Sequence, residues 1–229
     1  MREDVRKLTE DYVGSLLEWG ATPKGVYWPN ADDLAKRFHV QLTEAGIANS
    51  TSERPLRLLD FGCGPGLLLD YLKANQLLER VDYTGVDIVA STVQLAQTRW
   101  PDQRFDLRDV REVPYEADAF DACIMCGVFT ARPGNSYPEM VEFVRSTLAA
   151  VWPSVSNVLV FNTMAKHVDW EREDLFHWPL DEAMAACKAL LSRHVRIRMD
   201  YGLWESTFVV RKTPTDESST VPMRWSWKD

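Results

Sequence analysis

The sequence predicts an α/β domain built on a mostly parallel sheet. Three observations predict it. First, the apolar run Leu56-Arg57-Leu58-Leu59-Asp60-Phe61 is followed at once by Gly62, Gly64 and Gly66, then by a helical stretch from Leu67. Strand, glycine turn, helix is the first half of a nucleotide-binding α/β unit. Second, strand and helix patterns alternate from residue 56 to residue 192, as a parallel sheet requires. Third, the alternation ends in two strands joined at Gly202, which form a hairpin.

Before the glycine turn come two helices. Val5, Leu8, Tyr12, Leu16 and Trp19 recur at helical spacing over 2–19, and Gly20 can end that helix. Pro23, Gly25 and Pro29 make 21–30 a loop around Tyr27 and Trp28. Asn30 or Asp32 can cap a helix over 31–46, with Leu34, Phe38 and Leu42 on one face. The segment 47–54 is a polar connector.

Strands are expected at 56–61, 81–87, 103–106, 120–125 and 156–161, with helices to about 75 and at 91–99 and 138–151. Residues 163–180 read as irregular, rich in aromatic and charged groups. Asp181 is placed to cap a helix to about 192, and 194–201 and 205–211 alternate as strands. His194, Arg196 and Arg198 share one strand face, read as solvated. The expected division is a helical lid over 1–54, a core over 55–212 and a polar tail over 213–229 that carries Trp225 and Trp227.

Composition narrows the function. The chain has 229 residues and a formal net charge of −8, which argues against nucleic acid or an anionic membrane as partner. No apolar window is long enough for a transmembrane helix, and the charged start MREDVRKLTEDYV lacks a signal-peptide core. A cytoplasmic protein is expected. The four cysteines, Cys63, Cys123, Cys126 and Cys187, fit that compartment. Cys123 and Cys126 lie three apart in a strand, so they face opposite ways and cannot share a metal. No metal site is expected.

The glycine spacing is diagnostic. A dinucleotide fingerprint G-x-G-x-x-G would place its third glycine at position 67, which is Leu. The form here, Asp60-x-Gly62-x-Gly64-x-Gly66, resembles motif I of the class I S-adenosylmethionine (SAM) methyltransferases. The resemblance implies a Rossmann-like, seven-stranded, mostly parallel sheet in the order 3-2-1-4-5-7-6, with the last strand of the chain antiparallel. It covers about 25–212. It also implies SAM as cofactor, S-adenosylhomocysteine as product and a small-molecule methyl acceptor.

It distributes the site residues as follows. Asp60, Phe61, Gly62, Cys63, Gly64 and Gly66 form the turn, where Asp60 can accept from the methionine ammonium. Asp87 ends the second strand and can take both ribose hydroxyls, with Ile88 packing on adenine; Asp87 can also cap the next helix. Asp109 and Val110 follow the third strand on the adenine side, with Asp106 as a competing acid. Cys126 closes the fourth strand near the methyl group, and Arg37 is placed to pair with the methionine carboxylate.

On the acceptor side, Tyr27, Trp28, Phe129, Asp169, His177 and Trp178 are expected to touch substrate. His167 is the candidate base and Asn162 the candidate orienting group. The Asn/Asp-Pro-Pro-Tyr sequence used on planar nitrogens is absent, which disfavours base and glutamine methylation. Two alternatives stand beside this expectation: a non-catalytic SAM-binding module of the same fold, and a nicotinamide dehydrogenase.

Overall fold

The computed structural model describes residues 3–215, apart from 51 and 133. The expected tail therefore lies outside the described residues from 216 onward, Trp225 and Trp227 included.

The elements in chain order are α1 (Glu3–Trp19), α2 (Ala31–Glu44), β1 (Leu56–Phe61), α3 (Leu67–Ala74), β2 (Val81–Asp87), α4 (Ala90–Arg99), β3 (Arg104–Leu107), β4 (Phe120–Phe129), α5 (Tyr137–Val151), β5 (Val155–Ala165), β6 (His177–Trp178), α6 (Leu180–Leu190), β7 (His194–Arg198) and β8 (Glu205–Arg211). The sheet runs β3-β2-β1-β4-β5-β8-β7, with β6 added beside β5. Strands β1 to β6 are parallel, and β8 is antiparallel to both β5 and β7. The expected order holds for the seven longer strands. The short β6 is the addition, and it renumbers the last two.

Strand alternation sorts the core into two layers. Leu58, Ala122, Ile124, Val158 and Val160 face α2, α3 and α4, where Leu34, Phe38, Leu42, Leu68, Leu69, Leu72 and Val93 meet them. Leu59, Cys123, Met125, Leu159 and Phe161 face α5 and α6, against Met140, Val144, Leu148 and Ala183. Cys123 and Cys126 thus fall in opposite layers, and all four cysteines are free thiols.

The helix caps follow local chemistry. Asn30 accepts from the Asp32 N–H at 2.9 Å, so it, rather than Asp32, caps α2. Ser136 and Glu139 form a reciprocal capping box on α5. At α6 the expectation needs correction. Pro179 holds the cap position without a side-chain bond, and Asp181 lies inside the first turn. There its charge still suits the positive end of the helix.

Two strands run further than expected. β4 continues to Phe129 and β5 to Ala165, with a bulge between Met125 and Phe129 that places extra residues at the strand's carboxyl end. Arg196 is solvated as expected and Arg198 only in part, yet both have a buried partner. Both reach the buried carboxylate of Glu44 at the end of α2, Arg198 at 2.5 Å and Arg196 at 3.4 Å. Arg211 donates to the Glu44 carbonyl at 2.7 Å, so this one residue fastens α2 to the hairpin.

Glu44→Ala should lower unfolding free energy by about 1–3 kcal/mol in urea denaturation, less than for a fully buried pair because the arginines are partly exposed. A change under about 0.5 kcal/mol would mean that solvent screens the contact out.

Candidate active site

The glycine turn leaves β1 with three successive glycines at positive φ: Gly62 at 70°, Gly64 at 53° and Gly66 at 81°. Such angles strain any residue with a Cβ. At Gly64 space is also short. A Cβ there would lie 2.7 Å from the hydroxyl oxygen of Tyr12, which α1 delivers onto the turn. The Gly62 and Cys63 N–H groups both donate to the Val86 carbonyl, locking the turn to the end of β2.

Asp87 sits at that strand end. One carboxylate oxygen accepts from Gly64 N–H at 3.0 Å and the other from Val89 N–H at 3.0 Å. It therefore braces the link into α4, whose cap position is Val89 rather than Asp87, and stands beside the bare turn. Burial raises its pKa, and backbone N–H donation from Val89, Gly64 and Ile88 opposes the shift. Ile88 is half-buried beside it.

Asp60 lies deeper, 3% exposed, and accepts from the Tyr83 hydroxyl at 2.7 Å. Desolvation pushes its carboxyl up to about 7, with the Tyr83 bond working against it and the Asp87 charge adding to it. It supports the turn from beneath. The Cys63 side chain is also turned inward, leaving its backbone at the site, and Phe61 is half-buried in the opposite layer.

Beyond β3, Asp109 and Val110 stand where they were expected along the chain. Val110 is in the core, and the Asp109 carboxylate is held by Arg111 through the backbone N–H at 3.0 Å and the guanidinium at 2.9 Å. Asp106 is taken by Tyr115 at 2.7 Å and by Arg104 at 2.8 Å.

At the end of β4, Trp28 lies on Gly127. A Cβ built on that glycine would come within 2.6 Å of the indole, and its φ of 81° is again left-handed. Cys126 beside it is partly exposed, and desolvation raises its thiol pKa above the usual range.

Four expected site residues are placed elsewhere by packing. Arg37 is not a spare cation: its Nε donates to Glu205 at 2.7 Å and its Nη2 to the same oxygen, so its charge is already neutralised. Phe129 is fully buried against Phe143 and Phe161. Trp178 is in the core between Phe176 and Phe208. The bulge and the alternation of β6 turn both rings away from the crevice. His177 is 5% exposed, with Nδ1 on the Ala165 carbonyl at 2.7 Å and Nε2 accepting the Arg172 N–H at 3.4 Å. It fastens the loop after β5.

Asn162 is fully buried in the sheet. It bonds Gly127 N–H at 2.8 Å, Glu205 at 2.6 Å and Gln41 at 3.2 Å, so it orients backbone rather than facing solvent. His167 is exposed and lines an open depression of about 330 Å³ with Val168, Met199, Leu203, Trp204 and Glu205. Asp169 is exposed on the same loop, and Tyr27 is half-exposed, its ring 6.2 Å from that of Tyr12.

Two residues went unread in the sequence. Tyr12 gave only a helical-spacing signal, shared with ordinary core residues. Glu205 opens a strand, and its partner Arg37 is 168 positions away, a separation no local pattern spans.

Comparison with known proteins gives a consistent picture. A family profile described as a methyltransferase domain matches residues 24–195. A protein of Mycobacterium tuberculosis H37Rv named as a methyltransferase, Rv1506c, is 30% identical over 161 residues, covering 69% of this chain and 94% of its own length. Cyclopropane-fatty-acyl-phospholipid synthase of Escherichia coli K12 is 28% identical over 144 residues, 62% of this chain and 36% of that protein. Among solved structures, magnesium protoporphyrin IX methyltransferase from Synechocystis PCC 6803 with bound SAM superposes with a TM-score of 0.55 at 13% identity, covering 79% of this chain and 81% of that one. The cyclase SpnF gives 0.57 at 14% identity, covering 92% and 94%. At such identities the structural likeness is one of fold.

The buried Asp60 carboxyl makes stability depend on pH. Its folded pKa, about 7, lies above the ordinary 3.8, so the folded state holds the proton more tightly. The contribution is full below about pH 4 and is lost as pH rises to about 7. Asp60→Asn removes this dependence and should be the more stable form at pH 8, by on the order of 1–4 kcal/mol. Parallel denaturation curves for the two proteins from pH 5 to pH 8 would overturn the assignment.

Proposed function

The chain belongs to the class I SAM-dependent methyltransferase family, and we propose that it transfers a methyl group to an oxygen, nitrogen or carbon atom of a small molecule. The observation that carries this is the bare turn Gly62–Gly66 lying against the half-buried carboxylate of Asp87. The residues present suit an adenosyl amino acid. Glycine backbone without side chains lets a ligand approach closely, and a carboxylate offers about four acceptor positions, more than the backbone uses here.

When bound, SAM supplies a methyl carried on a sulfonium, open to in-line displacement. The chain does the rest. Asp87 takes the ribose hydroxyls and Ile88 packs on the adenine. Val110 and the backbone near Asp109 border the adenine edge. Gly62, Gly64, Gly66 and the backbone of Phe61 and Cys63 form the floor, with Asp60 beneath it and Cys126 toward the methyl. Trp28, Tyr27 and Tyr12 cover the turn from the 1–54 segment and keep water from a positive centre that an aromatic face also attracts.

The depression under His167 and Trp204 borders Glu205, which shares Asn162 with the end of β4. Its volume lies at the lower end for small-molecule sites, which favours a small acceptor over a polymer. His167 there takes the acceptor proton, and Asp169 helps position the substrate. Orientation in a dry site accounts for much of the rate, on the order of 7–11 kcal/mol. No helix among the described residues is long and apolar enough to cross a membrane, and the free buried cysteines suit a cytoplasmic setting.

Fold alone does not establish turnover, and SpnF is a cyclase on the same architecture. The deciding experiment screens acceptors for S-adenosylhomocysteine formation. Acceptor-dependent product supports methyl transfer. Tight SAM binding without product from any acceptor class would favour a binding module.

Two variants test the assignments. Asp87→Ala should weaken SAM by about 1.5–3 kcal/mol in calorimetry, the scale of hydrogen bonds to a charged group. An unchanged affinity would remove it from the ribose site. His167→Ala should lower kcat by roughly 10²–10⁴-fold with little change in SAM affinity. Full kcat in that variant would leave the reaction without a histidine base.

A further inference from the structure

Five groups at the carboxyl end of the sheet close into a ring. Glu205, 1% exposed, accepts from Arg37 Nε at 2.7 Å through Oε1 and from Asn162 Nδ2 at 2.6 Å through Oε2. Arg37 lays its guanidinium on the Trp28 ring, 3.9 Å from the centroid. Trp28 lies on Gly127, and Gly127 N–H returns to Asn162 Oδ1 at 2.8 Å.

The ring joins four separate segments: the loop before α2, α2 itself, the bulged end of β4, and the paired β5 and β8. Each member constrains the next. The guanidinium is planar; its Nε and Nη2 edge is held on one Glu205 oxygen while its face rests on the indole. The carboxamide of Asn162 is held at both ends, which sets the direction of the Gly127 N–H.

We propose that Glu205 is a positioning residue for methyl transfer: through Arg37 it seats Trp28 as the lid, and through Asn162 it fixes the end of β4. The catalytic consequence rests on the reading of the crevice as the SAM site, whereas the clamp itself does not. Its carboxylate also borders the depression under His167, so lid and acceptor side share one anchor.

The test uses Arg37→Met combined with Glu205→Gln. Removing Glu205 alone would strand a buried guanidinium, while removing both charges preserves volume and tends to preserve stability. The double variant should melt cooperatively, yet bind S-adenosylhomocysteine roughly tenfold to a hundredfold more weakly in calorimetry, with KM for SAM raised alongside. Without any ligand, the Gly127 amide should lose roughly threefold to tenfold of its hydrogen-exchange protection, the scale of one weakened hydrogen bond.

Wild-type affinity together with wild-type exchange would overturn the proposal and leave the ion pair a matter of stability only. If the double variant fails to fold, Arg37→Lys keeps a charge for Glu205 and removes the planar face from Trp28. Faster Gly127 exchange there supports the clamp, and unchanged exchange refutes it. If the wild-type protein binds no S-adenosylhomocysteine, the cofactor reading fails, and the exchange measurement still decides on the clamp.

Discussion

The carboxyl ends of the central strands have to present backbone without side chains, and much of the site follows from that constraint. Gly64 in the turn after β1 and Gly127 in β4 meet it, each at a positive φ, the first against the Tyr12 hydroxyl and the second against the Trp28 indole. Tyr12 covers one and Trp28 the other. An alanine at either place would be strained by its positive φ and would also collide with the covering side chain. Both glycines thus give up a side chain where an aromatic residue of the first thirty packs close.

Three carboxylates, Asp60 and Glu205 buried and Asp87 half-buried, find different partners. Asp60 has one hydroxyl, from Tyr83, so its proton is held up to about pH 7. Asp87 has backbone N–H groups, which oppose the cost of burial and leave acceptor capacity at the crevice. Glu205 has a guanidinium and an amide, the strongest compensation of the three, and it is the one that joins separate segments. The partner set, more than depth, decides whether each carboxylate supports the turn, faces a ligand or clamps a lid.

Much of the fold was legible because its signals are local. The run from Leu56 to Phe61 and the glycines after it mark β1 and its turn within a few residues, and the alternation of strands and helices then orders the sheet. Short or bulged structure was not legible. β6 is only His177 and Trp178 inside a charged stretch, and the bulge at Cys126–Val128 resets the alternation that would otherwise aim Phe129. Proximity in sequence therefore misled for Phe129 and Trp178, which pack inward. The Arg37–Glu205 pair was illegible for another reason. A solvated helix face and a carboxylate at a strand start look alike whether or not they meet.

Two contacts through buried carboxylates tie α2 to the sheet. α2 is fastened at its far end by Glu44 to the hairpin and at its middle by Arg37, which also stacks on Trp28, to Glu205. The central claim is that the glycine turn beside Asp87 is where the SAM cofactor lies. A crystal structure of the protein with S-adenosylhomocysteine tests it most directly. The expected result has the ribose hydroxyls on the Asp87 carboxylate, the amino-acid end along Gly62–Gly66, and Tyr12 and Trp28 over the ligand. A ligand bound elsewhere, with Tyr12 still resting on Gly64, would contradict it.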